Sequence, residues 1–187
     1  MAPVKALGTL PILLALLWLS GCKSMSQNEC LTADWESIGY QDGSRGYDAG
    51  RISTHSKACS EYGIKADSQQ YEEGRVRGLE LFCTGSNGLR LGRQGYAYSG
   101  VCPLSLEADF SNGYTIGREM HDVDVHMQQL REEIQRVQSE LQRKEPPLSD
   151  RDRDYLLYRL RDLEREYGRS QSELRQIETR ARDFRSN

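Results

Sequence analysis

The stretch HDVDVHMQQLREEIQRVQSELQRKEPPLSDRDRDYLLYRLRDLEREYGRS, residues 121–170, decides the fold. Starting just before it, Met120, Val123, Met127, Leu130, Ile134, Val137 and Leu141 alternate steps of three and four. Leu156, Leu160, Leu163, Tyr167, Ser170, Leu174, Ile177, Ala181 and Phe184 do the same. That spacing places each set along one seam of a helix, the a/d pattern of helices that pack side by side. Between the two sets lies Glu145-Pro146-Pro147-Leu148. Proline lacks the amide N–H and its ring blocks the preceding turn, so the first helix ends there, and Ser149 with Asp152 caps the second. The reading is a long antiparallel αα-hairpin, coiled-coil-like, over residues 118–187, with its first helix from about 118 to 144 and an N-terminal end open to continuity with the segment holding Phe110. Ser170 in the seam and Gly168 beside it form a weak spot. The second helix outruns the first. Its tail from about 175 must fold back on the rest of the chain, pair with another chain, or fray.

Residues 30–117 follow a different grammar, rich in Gly and Tyr, whereas 118–187 hold a single Gly. Glycine pairs four apart recur at Gly39/Gly43, Gly46/Gly50, Gly74/Gly78, Gly88/Gly92 and Gly113/Gly117. A spacing of four puts both glycines on one helical face. The segments are too polar to span a bilayer, so the pairs imply short helices whose backbones approach closely, with Trp35, Tyr71 and Phe110 filling the space beside each contact. Each Gly costs its helix about 1 kcal/mol relative to Ala, which close packing or covalent staples must offset. Helices are expected near 34–46, 51–62, 67–82 and 88–98, with Asp34 and Asp67 as N-caps.

Five cysteines are present. Cys22 aside, Cys30, Cys59, Cys83 and Cys102 are an even number with no CxxC spacing, which argues for two disulfides in an exported chain. An antiparallel pairing of the first two helices brings Cys30 to Cys59. Cys59 and Cys83 then fall at opposite ends of the next helix pair, roughly 20 Å apart at a 1.5 Å rise, so Cys83 pairs with Cys102.

The N-terminus reads MAPVKALGTLPILLALLWLSGC. Lys5 is a positive n-region, Leu7 to Leu19 a short apolar run, and small residues precede Cys22, the pattern of an export signal over residues 1–21. Leu19-Ser20-Gly21-Cys22 resembles the bacterial lipobox, which implies lipid on Cys22, a membrane anchor and a linker over 22–29. Lys23 rather than Asp after that cysteine resembles lipoproteins sorted to the outer membrane, on the periplasmic face. Loss of Lys5 with the signal takes the formal charge from −3 to −4, which leaves no basic excess for nucleic acid.

Chemistry-bearing motifs are scarce. His121 and His126 sit about 140° apart on a helix, too far round to share a metal ion. His55 with Asp34 or Asp42 is an acid–base pair in principle, though a lone histidine in such a domain more often serves as a hydrogen-bonding residue. No nucleophile elbow, phosphate loop or dinucleotide fingerprint occurs, so neither an enzyme nor a cofactor is expected.

The strings Cys30-x3-Asp34-Trp35-x2-Ile38-Gly39-x2-Asp42-Gly43-x2-Gly46, His55-x3-Cys59, Asp67-x3-Tyr71-x2-Gly74-Arg75-x2-Gly78-Leu79-x3-Cys83 and Gly88-x3-Gly92-x2-Gly95-x2-Tyr98-x2-Val101-Cys102-Pro103 resemble the bacterial lipoproteins grouped as domain of unknown function 2799. That resemblance implies an envelope protein with a lipobox, a cysteine-bearing Gly/Tyr domain and a helical tail, and implies no activity. The leading expectation is a non-enzymatic cell-envelope lipoprotein that offers its hairpin to a protein partner or to itself. The alternative is a binding module for a cell-wall glycan or small ligand, in which Trp35, Tyr71, Arg75, Tyr96 and Tyr98 stack on sugars and clamp carboxylates.

Overall fold

A computed structural model describes residues 25–186. The signal segment 1–21 and Cys22 lie outside the described residues. Within them the chain is mainly α, with no strand. The helices are α1 (Gln27–Leu31), α2 (Trp35–Ser44), α3 (Arg51–Ser60), α4 (Ser68–Phe82), α5 (Gly85–Arg93), α6 (Leu104–Leu141) and α7 (Asp150–Ser186). Asp34 caps α2 through the Ser37 amide, and Asp67 caps α4 through the amides of Gln69 and Gln70. The Ser149 hydroxyl accepts from the Asp152 amide and donates to the Asp152 carboxylate at the start of α7.

The hairpin packs along the expected seams. Leu130, Val137, Leu156 and Leu163 form one buried cluster, with Ile134, Leu141, Leu160 and Tyr167 against it. The tail of α7 folds back on the globular part. Ile177 and Ala181 pack with Leu89 and Met120, and Arg180 pairs with Glu119. Ser170 is buried in the seam and α7 runs through it unbroken. The larger difference is α6, which starts at Leu104 and crosses the boundary expected between 117 and 118 without interruption. Gly113 and Gly117 suggest a different kind of segment by composition. They are interior positions of the helix, tolerated because each faces another backbone.

That close approach is the organising feature of the first half. A Cβ on Gly39 would lie 1.9 Å from the Tyr71 carbonyl oxygen, and one on Gly74 would lie 1.9 Å from that of Glu36. Gly43 and Gly78 meet the carbonyls of Arg75 and Tyr40 at 2.2 Å in the same way. Residue numbers rise together on both sides of the contact, so α2 and α4 are parallel. The partner of α2 is therefore α4, not the neighbouring α3 that an antiparallel hairpin requires. The helix α3 runs between them as a return connection. The cysteine pairing survives this change, because α3 still carries Cys59 back to Cys30, and the bonds are Cys30–Cys59 and Cys83–Cys102. Gly46/Gly50 is not a helix contact. Gly46 has φ +75° and ends α2, with the Phe82 ring against it.

Helices α5 and α6 repeat this arrangement. Gly88 meets the Phe110 carbonyl at 2.2 Å, Gly92 that of Tyr114 at 2.2 Å, Gly113 that of Gly85 at 2.0 Å and Gly117 that of Leu89 at 2.3 Å. Gly39, Gly43 and Gly46 correspond to Gly88, Gly92 and Gly95 at one constant offset. Tyr71, Gly74, Gly78 and Phe82 correspond to Phe110, Gly113, Gly117 and His121 at another. Gly95 has φ +76° and lies under the His121 ring as Gly46 lies under Phe82, which ends α5 at Arg93 rather than near 98. Even a side chain-to-backbone bond is repeated. Arg75 Nε donates to the Tyr47 carbonyl at 3.3 Å, and the Tyr114 hydroxyl donates to the Tyr96 carbonyl at 2.9 Å.

Candidate functional site

The two parallel pairs differ in what they bury. In the second, Phe110 is fully buried, with Phe82, Tyr98 and Tyr114 as ring neighbours at centroid distances of 5.5, 4.5 and 6.3 Å. In the first, the equivalent Tyr71 is also buried, but its hydroxyl donates to Asp42 Oδ2 at 2.9 Å. His55 Nε2 lies 2.7 Å from the same oxygen. Asp42, His55 and Tyr71 are 5 %, 5 % and 1 % exposed, so the three groups make one dehydrated polar unit spanning α2, α3 and α4.

The physical chemistry assigns the protons. A buried carboxylate needs donors, and Asp42 takes one from the phenol and one from the imidazole Nε2–H. Burial first, and the bond to Asp42 second, push the Tyr71 phenol well above its ordinary range, so it stays a donor. Asp42 thereby fixes the histidine tautomer and leaves Nδ1 as the ring nitrogen free for other work. Nδ1 is buried and has no protein partner. Nor has the buried Nε of Arg51, one helical turn earlier on α3. Arg51, His55 and Asp42 line an open cleft of about 460 Å³ between α1, α2 and α3, with Arg45, Asp34 and Glu29 among its other walls. The two outer acids are engaged locally. Glu29 accepts from the amide and hydroxyl of Ser26, and Asp34 from those of Ser37, which holds both carboxyls below their usual range.

Of the acid–base pairings open to His55, the fold makes the one with Asp42. Residues 34–119, from the cap of α2 to beyond the last glycine contact of α6, match the model of a family described as a protein of unknown function (DUF2799). This span is a DUF2799 domain. It contains both sets of glycine contacts between helices and the whole Asp42–His55–Tyr71 unit. No curated protein and no solved structure matches the chain.

The residues expected to form a ligand platform on the DUF2799 domain are not brought together as one. Trp35, Tyr71 and Arg75 are buried. Trp35 belongs to the core around Cys30 and Cys59, and Arg75 is spent on the Tyr47 carbonyl and Glu72. Tyr98 packs on Phe110, its hydroxyl donating to Glu107 and accepting from the Cys102 amide. Burial, then the Glu107 bond, pushes its phenol up to about 12. Tyr96 alone of the five is exposed. His121 lies over Gly95 with Nδ1 3.3 Å from the Arg93 carbonyl, and His126 lies 3.2 Å from Glu166. Among the described residues no cluster of three metal-ligating side chains occurs, and no helix is long and apolar enough to cross a membrane.

Sequence reading missed Arg51 as a site residue. Its signal was its place one turn before His55, a spacing that puts both on one face of α3.

A second surface lies on the hairpin. On α7, Tyr155, Leu157 and Tyr158 are 66 %, 43 % and 60 % exposed. Tyr158 shares a shallow hollow with Arg161, Glu164 and Arg165.

Proposed function

We propose that this protein is a non-enzymatic cell-envelope lipoprotein, anchored through lipid on Cys22 to the outer membrane on its periplasmic side, whose hairpin serves as a docking surface for a protein partner. The observation that carries the reading is the Tyr155/Tyr158 stripe with Arg161 and Arg165 on the outward face of α7. Tyrosine and arginine dominate the energetics of protein contacts, because they bury large area while keeping polar ends satisfied. The adjacent seam is already filled by α6, and the stripe lies outside that packed cluster. Two disulfides fit an exported chain.

The test is crosslinking and affinity capture from intact cells, with the full lipoprotein beside Tyr155→Ala/Tyr158→Ala. Loss of one specific partner in the double variant, with unchanged helicity, supports docking by the hairpin. A capture pattern identical for both proteins overturns it. Truncation after 117 is a poor comparison, because it cuts α6 in mid-helix and removes Ile177 and Ala181 from the core beside Leu89. The anchor has its own check. Metabolic labelling with a radioactive fatty acid marks the protein and fails in Cys22→Ser; equal labelling of both excludes lipid on Cys22.

A further inference from the structure

We propose that the cleft between α2 and α3 binds a carboxylate, held by Arg51 and His55. Arg51 and His55 line it, each carries a buried nitrogen with no protein partner, Nε and Nδ1, and the two side chains lie one turn apart on the same helix. Neither is a chance surface group. His55 is 5 % exposed and pinned by Asp42, so its ring cannot rotate to spend Nδ1 elsewhere. The Arg51 guanidinium lies 4.7 Å from the centre of the Tyr47 ring, which orients it without using the Nε–H.

The donors suit a planar acceptor with two oxygens. Arg51 offers Nε–H to one oxygen. The His55 ring, with Nε2–H directed to Asp42, takes up a proton at Nδ1 as the anion binds and offers it to the other. Asp42 on α2 supplies the negative charge that balances the imidazolium, and Tyr71 on α4 faces the same carboxylate as a neutral donor. The far wall selects among anions. Glu29 and Asp34 carry negative charge into the cleft, which disfavours a phosphate dianion and favours a carboxylate with an ammonium group nearby, as in an amino acid or a short peptide. The second helix pair provides an internal contrast. There Phe110 replaces Tyr71, Leu91 stands where Asp42 would be, and no helix corresponds to α3, so that half of the domain has no such donors.

The experiment is a titration of the full mature chain with alanyl-alanine, and separately with inorganic phosphate, followed by the ¹⁵N resonances of the His55 ring and by calorimetry. The expected result is a saturable shift of Nδ1 with the dipeptide and a weaker one with phosphate. Arg51→Gln should weaken dipeptide binding at least about tenfold, the effect of one lost charge-assisted hydrogen bond. Arg51 donates no hydrogen bond from Nε within the protein, so this variant should keep its helicity and thermal midpoint. No saturable shift with the dipeptide would mean that the ligand does not reach these nitrogens and would overturn the proposal. Dipeptide affinity unchanged in Arg51→Gln would also overturn it, and stronger binding of phosphate would overturn the choice of carboxylate.

Discussion

The two parallel helix pairs share a frame and differ in their filling. In each, four glycines let two backbones meet, a positive-φ glycine ends the first helix under a ring from the second, and a side chain on the second helix binds a carbonyl in the following turn. What fills the space beside the frame is not shared. The α5/α6 pair surrounds Phe110 with aromatic rings, and its connecting segment is a loop clipped by Cys83–Cys102. The α2/α4 pair inserts a whole helix, α3, and buries Asp42, His55 and Tyr71. Stability explains the first arrangement without remainder. It does not explain the second, because apolar filling serves the same frame and avoids dehydrating a carboxylate. The difference locates where the domain spends stability on something else.

The frame breaks first. Gly39→Ala or Gly113→Ala places a methyl 1.9 or 2.0 Å from a backbone carbonyl oxygen, which no rotamer change relieves. Each should cost about 3 kcal/mol or more, read as a lower midpoint in chemical denaturation. Equal losses at the two sites show the frames to be equivalent. A loss at Gly39 alone would mean that the long α6 and α7 carry the second pair by themselves.

Exchanging the fillings comes next. Phe110→Tyr buries a hydroxyl with no partner in an aromatic cluster and should destabilise by about 2 kcal/mol. Tyr71→Phe removes one donor from Asp42 but leaves His55 in place, and should cost about 1 kcal/mol. If Tyr71→Phe is the more harmful, the polar unit is a structural keystone, contrary to the division drawn above.

Gly168 sharpens the meaning of the other glycines. A Cβ there meets nothing within 4 Å. Gly168→Ala should therefore stabilise α7 by about 1 kcal/mol, through helix propensity alone, seen as a higher thermal midpoint. The smallest effect is on alkaline stability. The Tyr71 and Tyr98 phenols are raised in the fold, so the stability they contribute is complete below about pH 10, the ordinary value, and is lost as pH climbs through the raised ones. A denaturation midpoint that falls above that pH, with a shallower fall in Tyr98→Phe, is the expected pattern.

The hairpin was legible because leucine spacing is a local signal. Met120, Leu130 and Val137 on α6 and Leu156, Leu163, Ile177 and Ala181 on α7 are buried where their periodicity places them. The glycine spacing also disclosed close backbone approach. It did not disclose which helix meets which, since Gly39 carries no mark that distinguishes Gly74 on a parallel partner from a residue on its neighbour in sequence. The start of α6 was hidden for a related reason. Gly113 and Gly117 read as a change of region, whereas the helix passes through them because α5 covers them. At the candidate site, His55 was visible and its two possible carboxylates were visible. The choice between them, and the role of Arg51, depends on α3 lying against α2, which no local pattern encodes.

The glycine contacts also govern how this sequence can change over generations. Where a leucine meets a valine across an interface, enlargement on one side can be answered by reduction on the other. Where glycine meets the opposing main chain, the opposing atoms are the same whatever residue is encoded there, and the glycine has nothing left to give up. Eight positions, Gly39, Gly43, Gly74, Gly78, Gly88, Gly92, Gly113 and Gly117, therefore have no compensating partner among the described residues. Descendants of this gene can drift along the hairpin's outer faces away from the Tyr155/Tyr158 stripe, while a change at any of these eight codons weakens the fold.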